Sequence, residues 1–365
     1  MKSLAMVAFG IWIFVVVYFG YLGMTTVPSE LDSIGYHIPI AESVVNGSVF
    51  KPNYVSPYSY YPGAGEAILA LFIILHIPLN LFNVWGLVLL FWIVKKLGER
   101  VGLNRDEAVV LGAAISLLPT VVRLPMTQLV DIWLAVFWGG WLLLAEKPEK
   151  SIKWSLLFGM VSGLMMGTKI SGLILLGLGV VFYWRNLKSF LWIFIALPVG
   201  GFWYIRNWVV MGNPFYPLDF WIWKGHTIAK LPIVWKFLVY EKGWGLFAQS
   251  LGSEFLGWVA AFLFPLWLRN KWIWLGLINL GLFMIMPGSP GTIVSNCRYL
   301  IPAVMTLALG IWIEAKKKKW ADTLAVLAVI NMAMVLSQIS YKPKIVLFSL
   351  VVIAFSFLIS PSKNK

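Results

Sequence analysis

The chain has 365 residues, of which 60% are hydrophobic and only 12% charged, with 21 tryptophans and a mean hydropathy of +0.83. That composition excludes a soluble globular domain and describes an all-α polytopic membrane protein. The net charge of +14 would suit nucleic acid, but the lysines and arginines sit in short clusters between apolar runs, so they report topology and imply no nucleic-acid partner.

Spanning helices need about 20 apolar residues. The first run, 4–23, follows Lys2 as a signal peptide would, yet it reaches spanning length without a small-x-small cleavage site and reads as a retained helix. A long loop over 24–79 comes next. Within it, Gly65 to Leu79 is short for a span and carries Glu66 and His76, so it reads as a helix lying in the interface or re-entering it. Further spans are predicted at 80–97, 107–122, 132–146, 154–168, 170–184 and 189–204, and, after a second long loop over 205–245, at 246–268, 272–287, 299–315, 320–339 and 345–360. The total is about twelve helices in one membrane domain over 1–365, with no separate soluble domain.

Charge fixes the counting. If 65–79 does not cross, 18 of the 29 basic residues fall in short loops on the side of Lys2, as expected for the cytoplasm. If it crosses, the bias is lost. Both termini are therefore expected in the cytoplasm, and the two long loops outside it. Eight of the fifteen acidic residues gather on that extracytoplasmic side: Glu30, Asp32, Glu42, Glu66, Asp131, Asp219, Glu241 and Glu254.

Asp32 stands where the first helix emerges, with Tyr36 and His37 one helical turn on. Glu30 is a second carboxylate of the pair or a solvated side chain. Asp131 enters the apolar run TQLVDIWLAV either as a functional carboxylate or as a helix cap. Lys169 stands between two apolar segments in MMGTKISGL, as a snorkelling lysine or as a cation for an anionic head group. Arg206 and Arg298 hold the same kind of position at external helix ends, and three cations at that depth could grip a phosphate. His76 fits a structural role and His226 is undecided. The single Cys297 offers no internal disulfide, and no cysteine and histidine spacing suggests zinc.

These motifs together resemble the GT-C membrane glycosyltransferases that use polyprenyl-phosphate sugars, among them protein O-mannosyltransferases, lipid A aminoarabinose transferases and the rhizobial-lipopolysaccharide-transferase-like proteins of bacteria and archaea. The matching residues are Asp32, Tyr36, His37 and Pro39 in DSIGYHIP, Tyr61, Pro62, Gly65 and Glu66 in YYPGAGEAIL, Asp131, and Lys169 in GTKISG. Further along are Arg206, Asn207, Gly212, Asn213, Pro214 and Tyr216 in RNWVVMGNPFYP, and Arg298, Tyr299 and Pro302 in RYLIPA. The resemblance implies that Asp32 is the catalytic base or the carboxylate that orients substrate, and that the segment after Tyr61 is a juxtamembrane helix. Two departures are visible: Glu30 is offset by two positions from Asp32 where relatives have adjacent acids, and no soluble C-terminal domain follows.

Transfer of a sugar from its phosphate needs a base at the acceptor hydroxyl and positive charge on the departing phosphate. On this reading Asp32 is the base, and Lys169, Arg206 and Arg298 form the cradle. Asp131, Glu66 and His37 orient sugar or acceptor, and Glu30, Asn207, Tyr216 and Tyr299 complete the substrate-binding set. One base suggests inversion at the anomeric carbon. The expected partners are a polyprenyl-phosphate sugar donor, a lipid, glycan or protein acceptor, and the surrounding lipids. A divalent cation between the carboxylates is the one cofactor the chemistry admits, and positive side chains could neutralise the leaving group without it. A lipid-linked polysaccharide ligase or polymerase and a twelve-helix secondary transporter are the rival readings.

Overall fold

A computed structural model describes residues 1–51, 57–185, 187, 191–219, 221–226, 233–259, 270–286 and 292–340. Helix α1 (Lys2–Thr25) is apolar on every face. One stripe, including Leu4, Ala8, Trp12, Val15 and Phe19, is buried in the bundle, while Met6, Phe14, Val17, Tyr21 and Met24 face outward. Outward-facing hydrocarbon on a helix about 36 Å long is what lipid demands, and the protein is a membrane protein. Among the described residues three other helices are long and apolar enough to cross: α4 (Leu79–Arg100), α10 (Leu191–Met211) and α14 (Ile293–Lys317).

The remaining elements are α2 (Ile38–Val45), α3 (Ala64–Ile74), α5 (Arg105–Ser116), α6 (Pro119–Val122), α7 (Asp131–Ala145), α8 (Ile152–Thr168), α9 (Ile170–Tyr183), α11 (Val234–Tyr240), α12 (Trp244–Phe255), α13 (Lys271–Met284) and α15 (Ala321–Ser340). Helices α5, α7, α8, α9, α13 and α15 begin within a few residues of predicted apolar runs, whereas α2 and α11 fall in the two predicted long loops and α10 runs on to Met211. The predicted run 345–360 lies outside the described residues, as do the later part of 246–268 and parts of the 205–245 loop. The predicted run 107–122 is broken: Leu118 and Pro119 divide it into α5 and α6, because proline has no N–H to continue the ladder.

Helix α4 packs on α5 and α7, α7 on α8 and α14, and α13 on α14. Where α8 meets α10, small residues let the backbones touch: a Cβ on Gly200 would lie 2.2 Å from the Gly163 carbonyl oxygen. Close backbone approach of this kind replaces the hydrophobic drive that lipid removes.

The chain shuttles between two ends. At one, an Asn104–Glu107 capping box starts α5, and Lys316 from the end of α14 reaches Glu107 at 3.1 Å. At the other, Asn80 donates to the Thr26 carbonyl at 3.2 Å, so the loop after α1 leaves and returns to the same end. That end carries Asp32, Asp131, Lys169 and Arg298.

Candidate active site

Three segments are tied together before any charged group is placed. The Ser33 hydroxyl accepts from the Gln128 N–H at 2.9 Å, and the Gln128 amide donates to Asn80 Oδ1 at 2.9 Å and to the Leu79 carbonyl at 3.1 Å. Asn83, fully buried, donates to the carbonyls of Thr127 and Leu129 at 3.0 and 2.7 Å. These bonds hold the start of α4, the 124–130 turn and the segment after α1 in one block. Asp32 and Asp131 are carried on its two sides.

Residues Ser33–His37 form a π turn, a local widening of the helix that recurs at functional sites. It sets Tyr36 and His37 side by side, ring centroids 4.2 Å apart. His37 turns inward, where its Nδ1 lies 2.6 Å from Glu66 Oε1 in the first turn of α3, with both side chains buried. Tyr36 turns toward Tyr58 and Tyr61, at 5.7 and 6.4 Å between centroids. Burial, and then the Asp32 carboxylate, push the Tyr36 phenol well above its ordinary range; Tyr58 and Tyr61 are raised as well, in each case first by burial. All three therefore keep their hydroxyl protons at neutral pH.

Lys169 is the only residue between α8 and α9. Its extended backbone (φ −161°, ψ 152°) breaks the helical run, and Gly172 makes the reversal fit, since a Cβ there would stand 1.9 Å from the Met165 carbonyl oxygen. The ammonium then meets Asp131 Oδ1 at 2.8 Å and lies 3.8 Å from the centre of the Tyr299 ring. Asp131 is the first residue of α7 and makes no capping bond. Its second oxygen is 3.1 Å from Arg298 Nε, and Arg298 Nη2 is 3.6 Å from Asp32 Oδ2. Asp131 is nearly inaccessible, whereas the Asp32 side chain is 45% exposed. The cluster thus alternates in sign, Lys169, Asp131, Arg298, Asp32, with its last carboxylate open.

The other candidates stand elsewhere. Glu30 uses both oxygens locally, accepting from the Asp32 and Ser33 N–H groups at 3.1 and 2.7 Å and from the Ser33 hydroxyl at 2.7 Å. It sits as a cap on the turn that presents Asp32. Arg206 is buried at 1% exposure and donates to the Tyr60 carbonyl at 2.9 Å; Asn207 donates to that carbonyl at 2.7 Å and to the Tyr216 carbonyl at 3.0 Å. Tyr216 packs edge-on to Tyr60 at 5.2 Å. Arg206, Asn207 and Tyr216 brace the two long loops against each other rather than joining Lys169 and Arg298. His76 ends α3 in a left-handed conformation (φ 53°) and is exposed. The sequence reading passed over Tyr58, Ser33 and Gln128. The run YSYYPG was the available signal for the tyrosines; nothing in the sequence marked the other two.

No protein-family model matches the sequence, and none of the curated proteins does. Solved structures do. ArnT from Cupriavidus metallidurans in the apo state matches with a TM-score of 0.61 and 17% identity over 94% of this chain and 74% of that one. The chain has the GT-C fold. The same ArnT bound to undecaprenyl phosphate matches with a TM-score of 0.57 and 16% identity over the same shares. An oligosaccharyltransferase from Archaeoglobus fulgidus, in complex with zinc and sulfate, follows at 0.53 and 15%, over 91% of this chain and 52% of that one. The chain therefore spans about half the length of the oligosaccharyltransferase. Asp131 is taken up by Lys169 and Arg298, Asp32 faces Arg298, and among the described residues no three histidine, cysteine or acidic side chains are placed to hold a metal ion.

Proposed function

We propose that the protein is an integral membrane glycosyltransferase that moves a sugar from a polyprenyl-phosphate donor to a hydroxyl-bearing acceptor at the extracytoplasmic face, with inversion at the anomeric carbon. The observation that carries this reading is Arg298 standing between a buried and an open carboxylate, at 3.1 Å from Asp131 and 3.6 Å from Asp32. The GT-C fold and the binding of undecaprenyl phosphate by ArnT support it.

The charges balance along the reaction. A polyprenyl-phosphate sugar carries one negative charge, and as the acceptor oxygen displaces the phosphate from the anomeric carbon the leaving phosphate keeps the bonding pair and gains a second. Asp32 removes the acceptor proton in the same event and becomes neutral. Arg298 is then released from Asp32 just as the phosphate needs it. Lys169 supplies a second cation, fixed over the Tyr299 ring, and Asp131 positions both cations without touching substrate. His37 and Glu66 stiffen the turn that presents Asp32, and Tyr36, Tyr58 and Tyr61 offer aromatic faces and phenolic donors to the sugar or acceptor. Glu30, Arg206, Asn207 and Tyr216 hold the surrounding backbone.

The test is transfer of radiolabel from a panel of polyprenyl-phosphate sugars to host membrane fractions by wild-type protein and Asp32→Asn at matched folding. Label moved by wild type and largely lost in the variant supports the reading; equal activity removes Asp32 from the chemistry.

A further inference from the structure

Between α9, α13 and α14, beside the Tyr299 ring, lies a small cavity with a wall formed mainly by Leu134, Ile174, Leu282 and Phe283. Two polar side chains interrupt that wall, Ser171 and Asn279. The Ser171 hydroxyl oxygen and the Asn279 amide nitrogen are buried without a hydrogen-bond partner among the described residues, and Asn279 is 7% exposed. An unpaired amide inside a membrane bundle is costly, and alanine and leucine would pack there without that cost. The cavity also adjoins the site: Ser171 follows Lys169 by two residues, and Tyr299 is the ring beneath the Lys169 ammonium. Its free space is about 20 Å³, room for one water-sized group.

We propose that Ser171 and Asn279 form a subsite for a single hydroxyl of the sugar being transferred, and that its size turns away an acetamido group at the same ring position. This rests on the transferase reading. A hydroxyl both donates and accepts, so the Asn279 N–H donates to the sugar oxygen while the Ser171 oxygen accepts the sugar proton. Such a site discriminates strongly, because a donor lacking the hydroxyl leaves both buried groups unpaired.

The experiment measures binding, by quenching of intrinsic tryptophan fluorescence, and label transfer for polyprenyl-phosphate hexoses, their monodeoxy analogues at each ring position, and acetamido counterparts. Wild-type protein is expected to disfavour one deoxy position by roughly 100-fold or more, the cost of leaving two buried polar groups unpaired, together with the acetamido sugar at that position. Asn279→Leu and Ser171→Ala, apolar replacements expected to keep or raise the melting temperature, shrink the deoxy preference to under about 10-fold. A preference that survives both substitutions, or a wild type that binds the hexose donor and ignores every deletion, overturns the subsite and leaves the transferase reading intact. If no donor is bound or used, the transferase reading falls and the subsite falls with it.

Discussion

Arg298 lies with its Nε 3.1 Å from a carboxylate oxygen of Asp131 and its Nη2 3.6 Å from Asp32. One planar guanidinium thus spans the buried and the open halves of the site. Lysine carries the same charge but only a point of it, and cannot face both carboxylates. Arg298→Lys is expected to keep the fold and lose about 100-fold or more in transfer, on the scale of removing one donor to developing charge. Circular dichroism alongside the label-transfer assay checks both halves of that statement.

The two aspartates differ in what their removal does. Asp131→Ala takes the buried carboxylate away from Lys169 and leaves Arg298 with Asp32 alone, at 3.6 Å, and is expected to cost about 3–5 kcal/mol. Asp32 is half-open, so Asp32→Asn is expected to change stability by less than about 0.5 kcal/mol while abolishing most transfer. Thermal unfolding in detergent separates the two. A stable Asp131→Ala protein would refute the role given to Asp131.

Gly172 tests the geometry behind Lys169. A methyl group there points at the Met165 carbonyl oxygen, 1.9 Å away, and the α8–α9 reversal has to open to admit it. Gly172→Ala is expected to lower stability by about 1–3 kcal/mol and to weaken donor binding by moving the ammonium. Gly177, where a Cβ meets nothing within 4 Å, is the control: alanine there is expected to be neutral or mildly stabilising.

The buried tyrosines give a prediction in pH. The Tyr36 phenol is raised above its ordinary value by burial and by Asp32, so the folded state disfavours the phenolate more than the unfolded chain does. Its contribution to stability is fully present below the unfolded value near pH 10 and is lost as the pH climbs through the higher folded value. Tyr36→Phe removes that titration, so the variant is expected to lose less stability than wild type between about pH 9 and 11. Unfolding midpoints over that interval decide it, and parallel curves would count against the assignment.

Arg206 and Asn207 grip the Tyr60 carbonyl from α10. Asn207→Ala is expected to destabilise the protein by about 1–3 kcal/mol and to lower kcat with little change in donor affinity. Lys169→Gln is expected to do the reverse, raising the KM for the donor with a smaller effect on unfolding. Steady-state kinetics on the two variants would distinguish bracing from binding.

Helix positions were readable because apolar runs have length, and length is what a bilayer selects. Lys169, Arg206 and Arg298 looked alike for the same reason: each is a cation at a helix end, and sequence gives the position along a helix axis but not the direction around it. The structure turns Lys169 and Arg298 toward Asp131 and turns Arg206 toward a backbone carbonyl. Glu30 was misleading in another way. Its partners are the N–H groups two and three residues ahead, a local bond that makes a carboxylate beside Asp32 into scaffold. Ser33 and Gln128 were invisible, since their contact joins residues 95 positions apart.

The single-residue break at Lys169 has a bearing on how such a site can diversify. With helix on both sides and no slack, the ammonium is as stiff as the bundle, and Asp131 and Arg298, also carried on helices, share that stiffness. Asp32, Tyr36, Tyr58 and Tyr61 belong to the loop between α1 and α4. On the proposed reading, the half of the site that takes the lipid phosphate is built into the frame, whereas the half that meets the acceptor is carried by one loop. On that reading, new acceptors could be reached by rewriting the loop residues that face the site, with Lys169, Asp131 and Arg298 left as they are.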